Sequence, residues 1–264
     1  MATYLPYRDN EGWRGLVRED WAGFADGAGG LTRWLALQPG RRVVSHASRT
    51  VDRLETARGV VFVKHFLSAS DRGTLWNRLK WLFRPSRAIH LVRIGEELEA
   101  AGFAVPENIL AVRRRSSLGW PEDFHLSLEC SVPTVRLRLR DLKLSGHGSD
   151  SPEVLTLLQW SAANLVRLHR RGFVHGDCLP CNFCAGPDSL LLLDNDRTTG
   201  GHGPDFCRAK RRNLEQCARY LAFSLGSPEC ARHFLACYAD ADGWTPPQRA
   251  ARLALIGRRI NLGE

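Results

Sequence analysis

The chain has 264 residues, 44% of them apolar and 25% charged, which is enough for one two-lobed catalytic domain or two small domains with a sizeable core. Disordered and fibrous classes do not fit that composition, and no apolar run reaches the length of a membrane span. Thirty-seven basic residues against 28 acidic ones give a formal charge of +9, which suits an anionic partner such as nucleotide phosphates, nucleic acid, an anionic lipid surface or an acidic glycan. A generally basic protein would show the same total, so the placement of the charge has to decide.

Met1 to Asn10 has no apolar stretch of the secretory kind, so a cytoplasmic protein, or one held peripherally on a membrane, is expected. The eight cysteines are therefore expected to be reduced. Cys178, Cys181 and Cys184 form a CxxCxxC run that invites a zinc or iron–sulfur reading, but such a site needs a further ligand, and the run lies inside another motif.

Residues 1–40 read as an N-terminal extension, in which Trp13, Trp21, Phe24, Leu31, Trp34 and Leu35 suggest a short amphipathic helix after the turn at Gly27 to Gly30. Val43-Val44 and Val60 to Val63 read as an antiparallel hairpin with a turn at Arg58-Gly59, and Lys64 follows directly. Residues 86–101 have the apolar spacing of a helix, which Gly102 ends. Strands are expected at Ile109 to Val112 and from Phe124 to Cys130. A long helix opens with Ser151 as N-cap and Pro152 at its first position, and runs to Arg171-Gly172. An apolar run at Leu190 to Leu193 and helical sequence complete the chain. A strand-rich half precedes a helix-rich half, with the join near Glu129 to Pro133. The divisions are thus 1–40, 41–130 and 131–264.

The segment Phe173-Val174-His175-Gly176-Asp177-Cys178-Leu179-Pro180-Cys181-Asn182 carries the chemistry. Asn182 stands five residues after Asp177, and Asp194 follows twelve residues later behind four leucines, in Asp194-Asn195-Asp196-Arg197. Phosphoryl transfer needs an oriented nucleophile and cations that neutralise phosphate charge. Asp177 suits the orientation of an acceptor hydroxyl. Asn182 and Asp194 offer the hard oxygen ligands that magnesium takes, and Lys64 at a strand end suits nucleotide phosphates. The order Lys, His-x-Asp-x4-Asn, then Asp after an apolar strand is that of protein kinases.

Further matches make the likeness narrower: Val63-Lys64, Ser86-Arg87-Ala88, Gly102-Phe103-Ala104-Val105-Pro106, His175-Gly176-Asp177, Asp194-Asn195-Asp196-Arg197-Thr198 and Arg212-Asn213-Leu214. Over residues 40 to 220 the chain resembles the lipopolysaccharide kinase (Kdo/WaaP) family of the protein-kinase-like superfamily. The resemblance implies an α+β fold of two lobes, an antiparallel-sheet N-lobe and a mainly helical C-lobe. It also implies ATP and Mg2+ as cofactors, with His175 and Asp177 as catalytic residues, Asn182 and Asp194 as metal ligands and Lys64 on the ATP phosphates. The implied acceptor is a Kdo or heptose hydroxyl of the lipopolysaccharide core, or of a lipid A-linked saccharide, at the cytoplasmic face of the inner membrane.

Several parts depart from the kinase pattern. The expected hairpin turn, Ser45 to Thr50, is not glycine-rich, so Ser48, Arg49 or backbone amides are the candidates to cover the phosphates. The helix has Leu91 where a glutamate partner for Lys64 is expected, which leaves Glu96 as the candidate. Glu129, at the join, completes the nucleotide-side set.

From Arg72 to Arg93 six cations (Arg72, Arg78, Lys80, Arg84, Arg87 and Arg93) interleave with Leu75, Trp76, Leu79, Trp81, Leu82 and Phe83, a composition suited to an anionic membrane surface or to a lobe-packing segment with a basic face. Arg136, Arg138 and Arg140 alternate with Val135, Leu137 and Leu139 and would share one face if extended, where they could contact an anionic acceptor; a plain surface strand is the expected reading. The leading expectation is a lipopolysaccharide core kinase that needs no nucleic acid. The alternatives are a kinase-like enzyme for a protein or small-molecule acceptor, and a pseudokinase or anion-binding protein.

Overall fold

The structure, a computed structural model, describes residues 2–67, 79, 81–186, 190–224 and 226–260. It divides into two compact units, Met1–Ser131 and Val132–Glu264. Of the basic, aromatic segment, Arg72, Leu75, Trp76, Arg78 and Lys80 lie outside the described residues.

The first unit is built on a seven-stranded antiparallel sheet. Its strands are β1 (Tyr4–Arg8), β2 (Arg14–Arg18), β3 (Gly40–His46), β4 (Arg49–Thr56), β5 (Gly59–Leu67), β6 (Asn108–Arg115) and β7 (Pro121–Leu128), in the order β1-β2-β6-β7-β5-β4-β3. Helix α1 (Leu31–Leu37) and helix α2 (Arg87–Ala100) accompany it. Side chains alternate across the sheet. On one face Trp13, Val17, Trp21 and Leu31 pack with Val61, Val63, Leu110, Val112, Phe124 and Leu126. On the other, Ala111 packs with Ala88 and Val92 of α2. A register shift between Asn108 and Leu110 lets the neighbours Ile109 and Leu110 join the same core.

Two expectations change here. Residues 1–40 supply β1 and β2 of the sheet, and Trp13 is fully buried in its core, so they are not an extension outside the lobe. The hairpin expected from two valine runs is a three-stranded meander. The turn at Arg58-Gly59 is present, but β4 lies between β3 and β5, and its polar residues outnumber its two buried valine and leucine anchors, Val51 and Leu54.

Helix α2 forms where its spacing places it. The Ser86 hydroxyl accepts the Ile89 N–H at 3.3 Å, and Gly102, at φ 86, takes the left-handed conformation that ends the helix. Asp123, 1% exposed, fixes this entry. It accepts from Ser86 Oγ at 2.6 Å and from Arg113 Nε at 2.8 Å, while Arg113 also donates to the Arg84 carbonyl at 2.7 Å.

The second unit contains helices α3 (Val135–Leu144), α4 (Pro152–Arg170), α5 (Pro204–Arg219), α6 (Pro228–Asp242) and α7 (Pro246–Ile260). Two small antiparallel pairs accompany them: β8 (Phe173–Val174) with β11 (Thr199–Gly200), and β9 (Phe183–Ala185) with β10 (Leu190–Leu192). Ser151 caps α4 and Pro152 opens it, as the sequence indicates. Its buried stripe, Leu158, Ala162, Leu165 and Leu168, packs on α6, which buries Ala231, Phe234, Leu235 and Tyr238. Arg136, Arg138 and Arg140 lie on α3 rather than on an extended segment. Thr134 caps that helix, accepting from Leu137 N–H at 3.2 Å, and Val135 and Leu139, one helical turn apart, are its buried residues. The alternation of Arg with Val and Leu imitates a strand, but Leu137 is half-exposed and not part of the core. No helix among the described residues is long and apolar enough to cross a membrane.

Candidate active site

The segment that carries His175 to Asn182 leaves α4 through β8 and enters β9. His175 is wholly buried, and each of its polar groups is used. Its Nε2–H donates to the Leu193 carbonyl at 2.8 Å, its Nδ1 accepts the Asp177 N–H at 3.2 Å, and its backbone N–H donates to Asn213 Oδ1 at 3.0 Å. Burial pushes the imidazole below its ordinary pKa and keeps it neutral. His175 is therefore a positioning residue. With both ring nitrogens bonded inside the protein, it has no free nitrogen for a substrate, which corrects its assignment as a catalytic group.

Gly176 is dictated by close packing. A Cβ at this position would collide with the Arg197 backbone, 2.7 Å from its carbonyl carbon. The His-Gly-Asp and Asp-Asn-Asp-Arg segments thus press together, and only glycine fits the contact.

Asp177 is half-buried. Asn182 Nδ2 donates to the Asp177 carbonyl at 2.8 Å and lies 3.5 Å from Asp177 Oδ2. Those bonds orient the amide, and Oδ1 has the Cys181 thiol at 3.8 Å, a weak contact. The β9–β10 register pairs Phe183 with Leu192 and continues one step, with Leu193 N–H donating to the Asn182 carbonyl at 2.9 Å. Asp194 follows immediately, at φ 54 and ψ 49, a left-handed conformation that turns the chain out of β10. Asn195 and Thr198 brace the turn: Asn195 Nδ2 donates to Leu192 O at 2.8 Å, and Thr198 Oγ1 donates to Asn195 Oδ1 at 3.2 Å. Asp177, Asn182 and Asp194 therefore belong to one braced group of loops. The donor set of an oriented amide oxygen and a half-buried carboxylate fits a magnesium ion, which takes few protein oxygens and keeps waters.

Asn213, on α5, holds these loops to the helices. Its Oδ1 accepts the His175 N–H and the His169 Nε2–H at 3.2 Å, and its Nδ2 donates to the His175 carbonyl at 2.6 Å. The Tyr238 hydroxyl donates to His169 Nδ1 at 2.7 Å. Burial lowers the His169 pKa from 6.5 to about 4, so this chain of bonds runs through a neutral imidazole. In the sequence Asn213 appears only within Arg212-Asn213-Leu214; its contacts are to residues remote in sequence, so no local pattern gives its role.

The cysteine run has another place in this geometry. Cys178 and Cys184 are buried, burial pushes the Cys178 thiol well up, and the Cys178 N–H donates to Gln216 Oε1 at 3.3 Å. Among the described residues no three His, Cys, Asp or Glu side chains group in a way that could hold a metal. Arg136 approaches this loop from α3: its charge acts on Cys181, and its guanidinium lies 6.0 Å from the Tyr220 ring centroid.

The nucleotide-side candidates belong to the first unit. Lys64 lies on β5, paired in register with Val51 and His125. The β3–β4 hairpin turns through Ala47 and Ser48, with His46 opposite Arg49, so Ser48 is at a tight two-residue turn and Arg49 begins the next strand. Glu96 of α2 is half-buried and acts on Tyr4, whose pKa burial and neighbouring carboxylates raise to about 12. Tyr4 is on β1, four places along the sheet from β5. Leu91, at the position first expected to be acidic, is buried. The Glu129 carboxylate is held by Arg53 of β4, Nε to Oε1 at 2.9 Å and Nη2 to Oε2 at 3.2 Å.

No protein-family model matches the chain, and no curated protein matches it. Solved structures do: 1076 chains match, which marks a widely used architecture. The architecture is the protein-kinase-like one, an antiparallel-sheet unit followed by a mainly helical unit. One of the matches is the structure described as WaaP in complex with acyl carrier protein. It is similar over 92% of this chain and 98% of its own, with a TM-score of 0.60 and 19% identity. At that identity the likeness carries the fold, and function has to be argued from the site.

Proposed function

We propose that the chain is an ATP- and Mg-dependent phosphotransferase that phosphorylates a sugar hydroxyl, Kdo or heptose, of the lipopolysaccharide inner core. The observation that carries this reading is the braced group of Asp177, Asn182 and Asp194, in which the Asn182 amide is oriented by Asp177 and its backbone is bonded to the residue before Asp194. Its spacing and surroundings are those of a phosphoryl-transfer centre. The WaaP name, met in the sequence resemblance and again in the solved neighbour, supports the choice of acceptor.

In this reading Asp177 accepts the hydrogen bond of the acceptor hydroxyl and aims its oxygen. Asn182 Oδ1 and the Asp194 carboxylate hold the magnesium ion, which when bound neutralises phosphate charge. Lys64 holds nucleotide phosphates, and Ser48 and Arg49 supply the cover that a glycine-rich loop would give. His175, Gly176 and Asn213 keep Asp177 in place. Arg136, beside Cys181, is a cation near the loop for an anionic acceptor.

The same reading places the protein at the cytoplasmic face of the inner membrane. Phe83 is 87% exposed, and Trp81 beside it lies under Arg87, 3.5 Å from guanidinium carbon to ring centroid. An exposed phenylalanine close in sequence to a tryptophan that carries a stacked guanidinium suits an anionic headgroup layer. The acyl carrier protein bound to the neighbouring WaaP structure accords with lipid-linked chemistry.

Purified lipopolysaccharide core, a protein and a small aminoglycoside, each offered with Mg2+ and labelled ATP, test the acceptor side by side. Label is expected in the lipopolysaccharide core alone. Label in the protein or the aminoglycoside would contradict the acceptor, and label in none of them would contradict phosphotransfer itself.

A further inference from the structure

A cavity of about 500 Å³ lies in the second unit between α5, the end of α6 and α7, and none of its lining residues belongs to the loops of the candidate site. It falls in the range of small-molecule pockets. Its floor is apolar: Leu214, Tyr238, Leu255 and Ile256, with Trp244 as a side wall. Four cations, Arg208, Lys210, Arg211 and Arg252, line it together with one carboxylate, Asp242.

The ion pairs do not cancel that charge. Lys210 lies 3.5 Å from Asp242, which also accepts Trp244 Nε1–H at 2.8 Å. Arg208 meets the exposed Asp205 at 3.3 Å, and Arg211 shares Glu215 with Arg259. Arg252 lies over the Trp244 ring, 4.8 Å from its centroid. Such a stack leaves guanidinium N–H groups available to an anion.

An apolar cavity with cations among its lining selects one chemical class. An ion without a tail would leave the floor unfilled, and a neutral tail would leave the cations unused. We propose that this cavity binds a single-chain phosphorylated amphiphile, with its alkyl chain against Leu214, Leu255 and Ile256 and its phosphate at Arg208, Arg211 and Arg252. Tyr238 connects the floor to the site, since its hydroxyl begins the bonded series through His169 and Asn213 to His175.

The test is calorimetric titration of the full chain with dodecyl phosphate below its micellar concentration, with dodecanol and inorganic phosphate as separate titrants. Arg252→Glu reverses a rim charge at an exposed position, and Leu255→Trp fills the cavity; thermal melting checks that both variants fold. Saturable one-site binding of dodecyl phosphate is expected, at least tenfold tighter than either control and at least tenfold weaker in each folded variant. Absence of saturable binding, equal affinity for dodecanol or inorganic phosphate, or unchanged affinity in Arg252→Glu overturns the proposal. Each of these outcomes is independent of phosphotransfer.

Discussion

Single residues decide the geometry of the loop, and their roles divide by burial. Asp177 is half-buried, whereas His175 and Asn213 are buried and brace its loop. Asn213→Leu would leave the His169 Nε2–H and the backbone groups of His175 without their partner. A buried polar group that loses its partner costs about 1–3 kcal/mol, so a fall in stability of about 2 kcal/mol or more is expected in urea unfolding. Gly176→Ala forces a Cβ against Arg197 and should cost about 1–3 kcal/mol by overpacking, with a larger relative loss of activity than of stability, because the displaced backbone carries Asp177. Equal melting temperatures for wild type and Gly176→Ala would refute the close contact. The closeness of Asp177 and Asn182 was legible in the sequence because they stand five residues apart in one short loop. The role of His175 was not, since a motif histidine reads as chemistry until its two ring nitrogens are found bonded to Leu193 and Asp177.

Elements were legible where one face is buried by a regular pattern. Helix α2 and helix α4 follow from their apolar stripes, caps and stops, and β5 from its valine run. The strands β1, β2 and β4 are too polar or too short to stand out, and they gain their place by pairing with neighbours already there. Helix α3 was misread as extended because Arg alternates with Val and Leu through its first turns, while its buried pair, Val135 and Leu139, obeys the helical period. The join of α2 to the sheet rests on Asp123. Asp123→Ala leaves the Ser86 hydroxyl without its acceptor, while the partly exposed Arg113 keeps the Arg84 carbonyl, so a cost of about 1–3 kcal/mol is expected. Chemical denaturation should show that loss. A change below about 1 kcal/mol, the range of exposed pairs, would place the bond outside the core of the unit's stability.

Across the molecule, buried histidines couple stability to pH. His169 has a folded-state pKa of about 4 against an ordinary 6.5, so the unfolded chain binds more protons between those values. Its stabilising contribution is complete above pH 6.5 and is lost as the pH falls toward 4, at up to about 1.4 kcal/mol per pH unit. His175 is shifted in the same direction. The urea midpoint should therefore fall between pH 7 and pH 5, and His169→Gln should show a smaller fall; an equal fall would remove His169 as a cause. The charge of +9 gave only a class of partner, and its meaning depends on where the cations sit, on α3, beside Trp81 and around the α5–α7 cavity. The central claim is that Asp177 directs an acceptor hydroxyl in ATP-dependent phosphotransfer. Transfer of labelled phosphate from ATP to lipopolysaccharide core, measured for wild type and for Asp177→Asn at equal folded concentration, tests it most directly. A loss of at least a hundredfold, about the smallest contribution expected of a positioned acid–base group, is the predicted result. Full transfer by Asp177→Asn would contradict it.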